Sequence, residues 1–144
     1  MKRPGGTPVG FARRKLAFAY RPKRVRDVFS PDQLRQLALL CDICDVAPLE
    51  SFEDSRAADI LSDVEILVTG WGCPRIDRAV LKFAPRLQMI PHAAGTVKFF
   101  VAPEVSEAGI VVTNAASANA IPVAEFSLAA ILFANKKVLG FAEL

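Results

Sequence analysis

The sequence predicts an α/β fold in which five parallel strands form one sheet and alternate with helices. Three observations carry that expectation. Short runs at residues 16–20, 43–47, 66–69, 87–90 and 110–113 are mainly apolar, as strands covered on both faces tend to be. Between them lie segments with helix-start signals and helical spacing. Proline or glycine then closes most of the runs.

Taken in order, Leu16, Ala17, Phe18, Ala19 and Tyr20 form the first strand, closed by Arg21 and Pro22. Ser30, Pro31 and Gln33 make a capping-box start for a helix whose apolar face is Leu34, Leu37, Ala38 and Cys41. A second strand over residues 43–47 ends at Pro48, and a weaker helix spans residues 53–62. Residues 66–69 are the third strand, followed by a loop with Gly70, Trp71, Gly72, Cys73 and Pro74. A helix over residues 76–84 stops at Pro85, and the fourth strand, residues 87–90, runs into Pro91, His92, Ala93, Ala94, Gly95 and Thr96. Residues 99–108 are expected to be helical, with Pro103 near the first turn and Gly109 in the C-terminal glycine position.

Right-handed crossovers leave few orders for such a chain, and 2-1-3-4-5, the flavodoxin-like arrangement with helices on both faces, fits five strands best. Ligands collect at the carboxyl ends of the strands in such sheets. Here those ends are the loops 70–74, 91–96 and 114–119, built of small residues whose backbone N–H groups can approach an anion closely.

The last segment differs from the other helices. With Pro122 and Glu125 placed in its first turn, it carries no charge between Glu125 and Lys136, and Phe126, Leu128, Ile131, Leu132 and Phe133 leave it no polar face. It must be covered on nearly all sides. The uncharged run falls short of the ~20 apolar residues of a bilayer span, so the expected cover is protein and no membrane partner is expected. The chain reaches Leu144 soon after this helix, and the expectation is a fragment that precedes a further domain.

Charge is unevenly placed. Residues 1–26 hold nine of the 18 Lys and Arg and no acid, leaving nine bases against 15 acids, a net −6, in the remainder. The basic surplus therefore belongs to a flexible tail, residues 1–14, and its neighbourhood, and no nucleic-acid partner is expected for the domain. No secretory leader is visible, and three cysteines suit a reducing compartment, so a cytoplasmic location is expected. Cys41 and Cys44 form a CxxC without a second ligand pair, which argues against a metal site.

Four pieces then stand in a telling order: Ala84-Pro85-Arg86-Leu87, Ala93-Ala94-Gly95, residues 107–114 (EAGIVVTN), and residues 119–125 (NAIPVAE). This series resembles the D-isomer-specific 2-hydroxyacid dehydrogenases, over roughly residues 16–138 and most specifically from Ala84 onward. The resemblance implies that residues 15–118 are the flavodoxin-like substrate domain and residues 119–144 an inter-domain helix leading to a Rossmann domain that binds NAD or NADP. It implies a homodimer at full length, and a small 2-hydroxy or 2-keto acid as substrate. By the same resemblance Ala94, Gly95 and Thr96 hold the substrate carboxylate, Trp71 borders the substrate, and Asn119 and Val123 lie beside the cofactor. No residue here matches the family's glycine fingerprint or its catalytic Arg, Glu and His, so this chain alone is expected to bind no nicotinamide and to be inactive. Val97, Lys98, Phe99 and Phe100 depart from the family's usual pattern after the fourth loop.

Among the tempting residues, His92, the one histidine, is expected to be structural or pocket-lining. Glu125 is explained by a helix dipole, and Lys98 by solvation. Two readings of another class stand beside the enzyme: a non-catalytic domain that binds a small carboxylate, and a nucleic-acid binder acting through residues 1–26.

Overall fold

The computed structural model describes residues 12–22 and 28–141, so most of the expected basic tail lies outside the described residues. One five-stranded sheet, all parallel, runs in the order β2-β1-β3-β4-β5, the flavodoxin-like arrangement. Its strands are β1 (Arg14–Ala19), β2 (Cys41–Ile43), β3 (Ile66–Thr69), β4 (Met89–His92) and β5 (Val111–Asn114). The helices are α1 (Pro31–Leu40), α2 (Ser55–Asp63), α3 (Arg78–Phe83), α4 (Pro103–Glu107), α5 (Ala116–Asn135) and α6 (Val138–Phe141).

Local chemistry explains the starts. Ser30 accepts from the Gln33 N–H while the Gln33 side chain accepts from the Ser30 N–H, the reciprocal capping box the sequence encodes. Asp54 and Asp77 cap α2 and α3 one way only, their carboxylates accepting from first-turn N–H groups. Gly109, at φ +74°, ends α4 in the left-handed conformation that a side chain would strain.

Register sorts the strand residues onto two faces. Ala17, Leu67 and Ile90 lie in line and are buried with Ala57 and Leu61 of α2, Val80 of α3 and Val105 of α4. On the other face Leu16, Phe18 and Val68 are buried, with Phe29 and with Leu34 and Leu37 of α1 packed against them. That second cover stops short: Met89 and Pro91 are only half-buried and Val111 is exposed, leaving an apolar groove of about 310 Å3.

Several sequence boundaries are corrected. The tail gives way to sheet at Arg14, because its backbone pairs with β2. Cys41 belongs to β2 and not to the α1 face. β2 is three residues long, because the chain turns away at Asp45, whose carboxylate accepts from the Ala47 N–H. β4 lies two residues later than the apolar run suggested: it takes in Pro91 and His92, which pair with Thr113 and Asn114. The helix expected over residues 99–108 is only α4, since Val101 pairs with Ile76 in a parallel bridge and holds the preceding residues in a turn. Ile76, for the same reason, precedes α3.

The largest correction concerns α5. It begins at Ala116, where the Asn114 side chain accepts from the first N–H, so residues 116–119 are helix and not loop. Pro122 is inside the helix, where it supplies no N–H, and Glu125 is outside the first turn, which removes the dipole explanation for it. At 20 residues the helix is long and apolar enough, by length and composition, to cross a membrane, because its small uncharged first turns lengthen the run read from sequence. None of its residues is buried.

Helix α5 thus leaves Phe126, Leu128, Ile131, Leu132 and Phe133 open to water. Apolar surface of this extent favours association. The chain is expected to self-associate as concentration rises, and Leu128→Lys with Leu132→Lys to shift it towards monomer in sedimentation. Monodisperse wild-type monomer at high micromolar concentration would refute this.

Candidate functional site

Two loops leave adjacent strands at the same edge of the sheet. The one after β3 turns sharply: the Cys73 N–H donates to the Gly70 carbonyl at 3.1 Å, and Gly72 sits at φ +78°. A side chain at Gly72 would meet Arg21 Cγ at 2.9 Å, so both conformation and space require glycine. The Arg21 N–H donates to the Trp71 carbonyl at 3.0 Å and Gly70 lies against Tyr20, which fastens this loop to the one after β1.

The loop after β4 is held as firmly. The Ala93 N–H donates to the Thr69 carbonyl at 2.8 Å, and the Ala94 carbonyl accepts from the Ala115 N–H at 2.9 Å, tying the loop to the approach to α5. Among the described residues, the N–H groups of Ala94, Gly95 and Thr96 donate no hydrogen bond. Three consecutive amides without a partner, in a loop anchored at Ala93 and Ala94, are a ready receptor for an anion.

Between the loops opens a cleft of about 550 Å3, within the range of small-molecule sites. Trp71, Ala94, Gly95 and Thr96 line it, and so does Asn119 from the second turn of α5, its side-chain nitrogen 3.7 Å from where a Gly95 Cβ would stand. Five of the six positions singled out by sequence therefore meet in one place. Val123, one turn further along α5, is exposed and outside this wall. Lys98 lies outside it as well, on a separate groove.

The structure adds what sequence reasoning missed. Arg75 supplies a cation to the cleft, and Phe99 and Phe100 supply an aromatic side. Arg75 falls one residue beyond the marked loop 70–74, with nothing local to single it out, whereas the Phe pair was hidden by assigning it to a helix. No acid lines the cleft among the described residues. A larger hollow between α2 and α3, about 820 Å3, sets Glu50, Glu53, Asp54 and Asp77 against Arg21 and Arg75, the latter shared with the cleft, and its excess of acids disfavours an anion. At the opposite edge of the sheet the cations are engaged: Arg14 with Glu65, and Lys15 and Arg86 with Asp63 at 2.5 and 3.3 Å.

His92 ends β4 in the cleft wall. Its Nδ1 is 2.9 Å from Thr69 Oγ1 across the sheet, and its ring lies 4.8 Å from that of Phe100. Burial holds its pKa below the usual histidine value, so the ring is neutral near pH 7. The thiols are unactivated: burial pushes Cys73 up to about 12 and raises Cys41 and Cys44. No model of a known protein family matches this chain, and the comparison with curated proteins found no match.

Because the folded pKa of His92 is lowered, the unfolded chain takes up its proton first as pH falls. The stability contributed by the neutral ring is complete above the ordinary value of 6.5 and is lost as pH drops from there through the depressed native value. Thermal melts are expected to show a falling Tm below that pH, and His92→Gln to flatten that part of the profile. An unchanged profile in the variant would assign the effect elsewhere.

Proposed function

We propose that this chain is the substrate-binding part of an NAD(P)-dependent oxidoreductase acting on the CH–OH group of 2-hydroxy acids, and that its cleft holds the acid's carboxylate. The observation that supports this reading is the row of amides without a partner at Ala94, Gly95 and Thr96, three residues that line a cleft without acids among the described residues, together with Trp71 and Asn119. A carboxylate there accepts from backbone N–H groups that need no side-chain rearrangement, while Arg75, 64% exposed and 4.0 Å from its acid neighbour Asp77, keeps the mouth positive. The one histidine is paired with Thr69 in the cleft wall.

The described residues do not fit a nicotinamide cofactor by themselves. They include no glycine-rich turn between strand and helix of the dinucleotide type, and Val123 faces no opposing wall. In this proposal they bind and orient the acid, and the chain alone is catalytically silent. A second reading, a non-catalytic domain binding a small carboxylate, draws on the same observation, since the amide row is complete without any acid–base group. Turnover of a 2-keto acid with NADH or NADPH by the pure 144-residue chain would count against both.

The carboxylate site has a direct test. A Cβ at Gly95 would make only ordinary contact with Asn119, and the branched side chain of Gly95→Val adds bulk at that wall of the cleft. Lactate is expected to shift the amide resonances of residues 94–96 in the native chain and not in Gly95→Val. Arg75→Gln is expected to weaken binding by about two- to fivefold, the modest effect of an exposed charge, and to reduce its salt dependence. Shifts that survive Gly95→Val would place the carboxylate elsewhere.

A further inference from the structure

The cleft is larger than a three-carbon acid requires, and the surplus is aromatic. Trp71, 53% exposed, comes from the loop after β3, and Phe99, 84% exposed, comes from the turn beyond Thr96; both border the same space. A single exposed aromatic on a surface needs no explanation. Two on one cleft, both anchored through backbone hydrogen bonds, are a different matter. Trp71 is fixed through its carbonyl to Arg21. The turn carrying Phe99 is fixed through its neighbour, since the Ile76 N–H donates to the Phe100 carbonyl at 2.6 Å and the Ala102 N–H to the Ile76 carbonyl at 3.0 Å. Ile76 directly follows Arg75, so the two walls of the cleft are tied to each other.

We infer that the ligand is a carboxylate bearing an aromatic side chain, with its ring between Trp71 and Phe99 and its carboxylate on the amides of Ala94, Gly95 and Thr96. This deepens the carboxylate reading above and rests on it. Aromatic rings attract through edge-to-face and offset contacts as well as by removing apolar surface from water, and both walls offer that surface. The absence of acids among the described lining residues suits the ligand's charge, while the two aromatics select its other end.

Trp71 is the one tryptophan in the chain, so its emission reports on the cleft alone. The probes are D-3-phenyllactate and D-lactate, followed by Trp71 emission and in parallel by the Gly95 amide resonance. Phenyllactate is expected to bind about tenfold or more tightly than lactate, from the ring's burial, and to shift the emission. Phe99→Ala should remove most of that preference, weakening phenyllactate far more than lactate. Equal affinity for the two acids, with both abolished by Gly95→Val, would overturn this inference and leave the carboxylate site standing. A phenyllactate preference untouched by Phe99→Ala would also overturn it. Failure of both acids to bind the native chain would overturn the inference and the carboxylate reading together.

Discussion

A parallel sheet has to be covered on both faces, because its strands are apolar on both. The chain meets this requirement unequally. On one face α2, α3 and α4 close over Ala17, Leu67 and Ile90 and make the main core. On the other, α1 reaches only as far as Leu16, Phe18 and Val68, and the sheet beyond, at Met89, Pro91 and Val111, is left partly open. The well-covered face makes the frame rigid; the strands it fixes then deliver their loops to one edge at set heights. The cleft inherits its shape from that packing, because Thr69 and His92, paired at the ends of β3 and β4, are buried beneath the loops that form it.

The cleft is electrostatically simple. Its charge comes from one arginine at the mouth and from amide dipoles within, both of which favour an anion. The acids of the neighbouring hollow are occupied in part with helix caps, Asp54 on α2 and Asp77 on α3. The sheet's other edge spends its cations on Glu65 and Asp63. Amide donors without a partner therefore occur where the strands end at β3 and β4, in a cleft that no acid lines among the described residues.

Much of this was legible in the sequence. Strand β3 and the start of α1 are written in adjacent residues, a short run of Ile, Leu, Val and Thr and a capping box, and local chemistry decides both. The small-residue loops after β3 and β4 were legible for the same reason. What misled were signals that local rules rank highly but distant partners overrule. Pro122 is a good first-turn residue, yet the Asn114 side chain and the run of alanines start α5 two turns sooner. Phe99 and Phe100 sit in a helical-looking stretch, yet a bridge from Val101 to Ile76, 25 positions earlier in the chain, fixes them in a turn on the cleft. Pairing of that kind leaves no mark on the neighbouring residues. Arg75 was missed differently: nothing local separates an exposed arginine on a functional wall from any other.

The clasp between the loops after β1 and β3 has a consequence for how this protein can vary. Gly72 leaves no room beside Arg21, Gly70 none to spare beside Tyr20, and the Trp71 carbonyl is taken by the Arg21 amide. Tyr20 and Arg21 do not line the cleft, yet they set the position of the indole that does. A library that diversifies only the residues in view of the ligand would therefore hold constant two of the positions that aim its largest side chain. The two loops are better treated as a single cassette, exchanged together or left together.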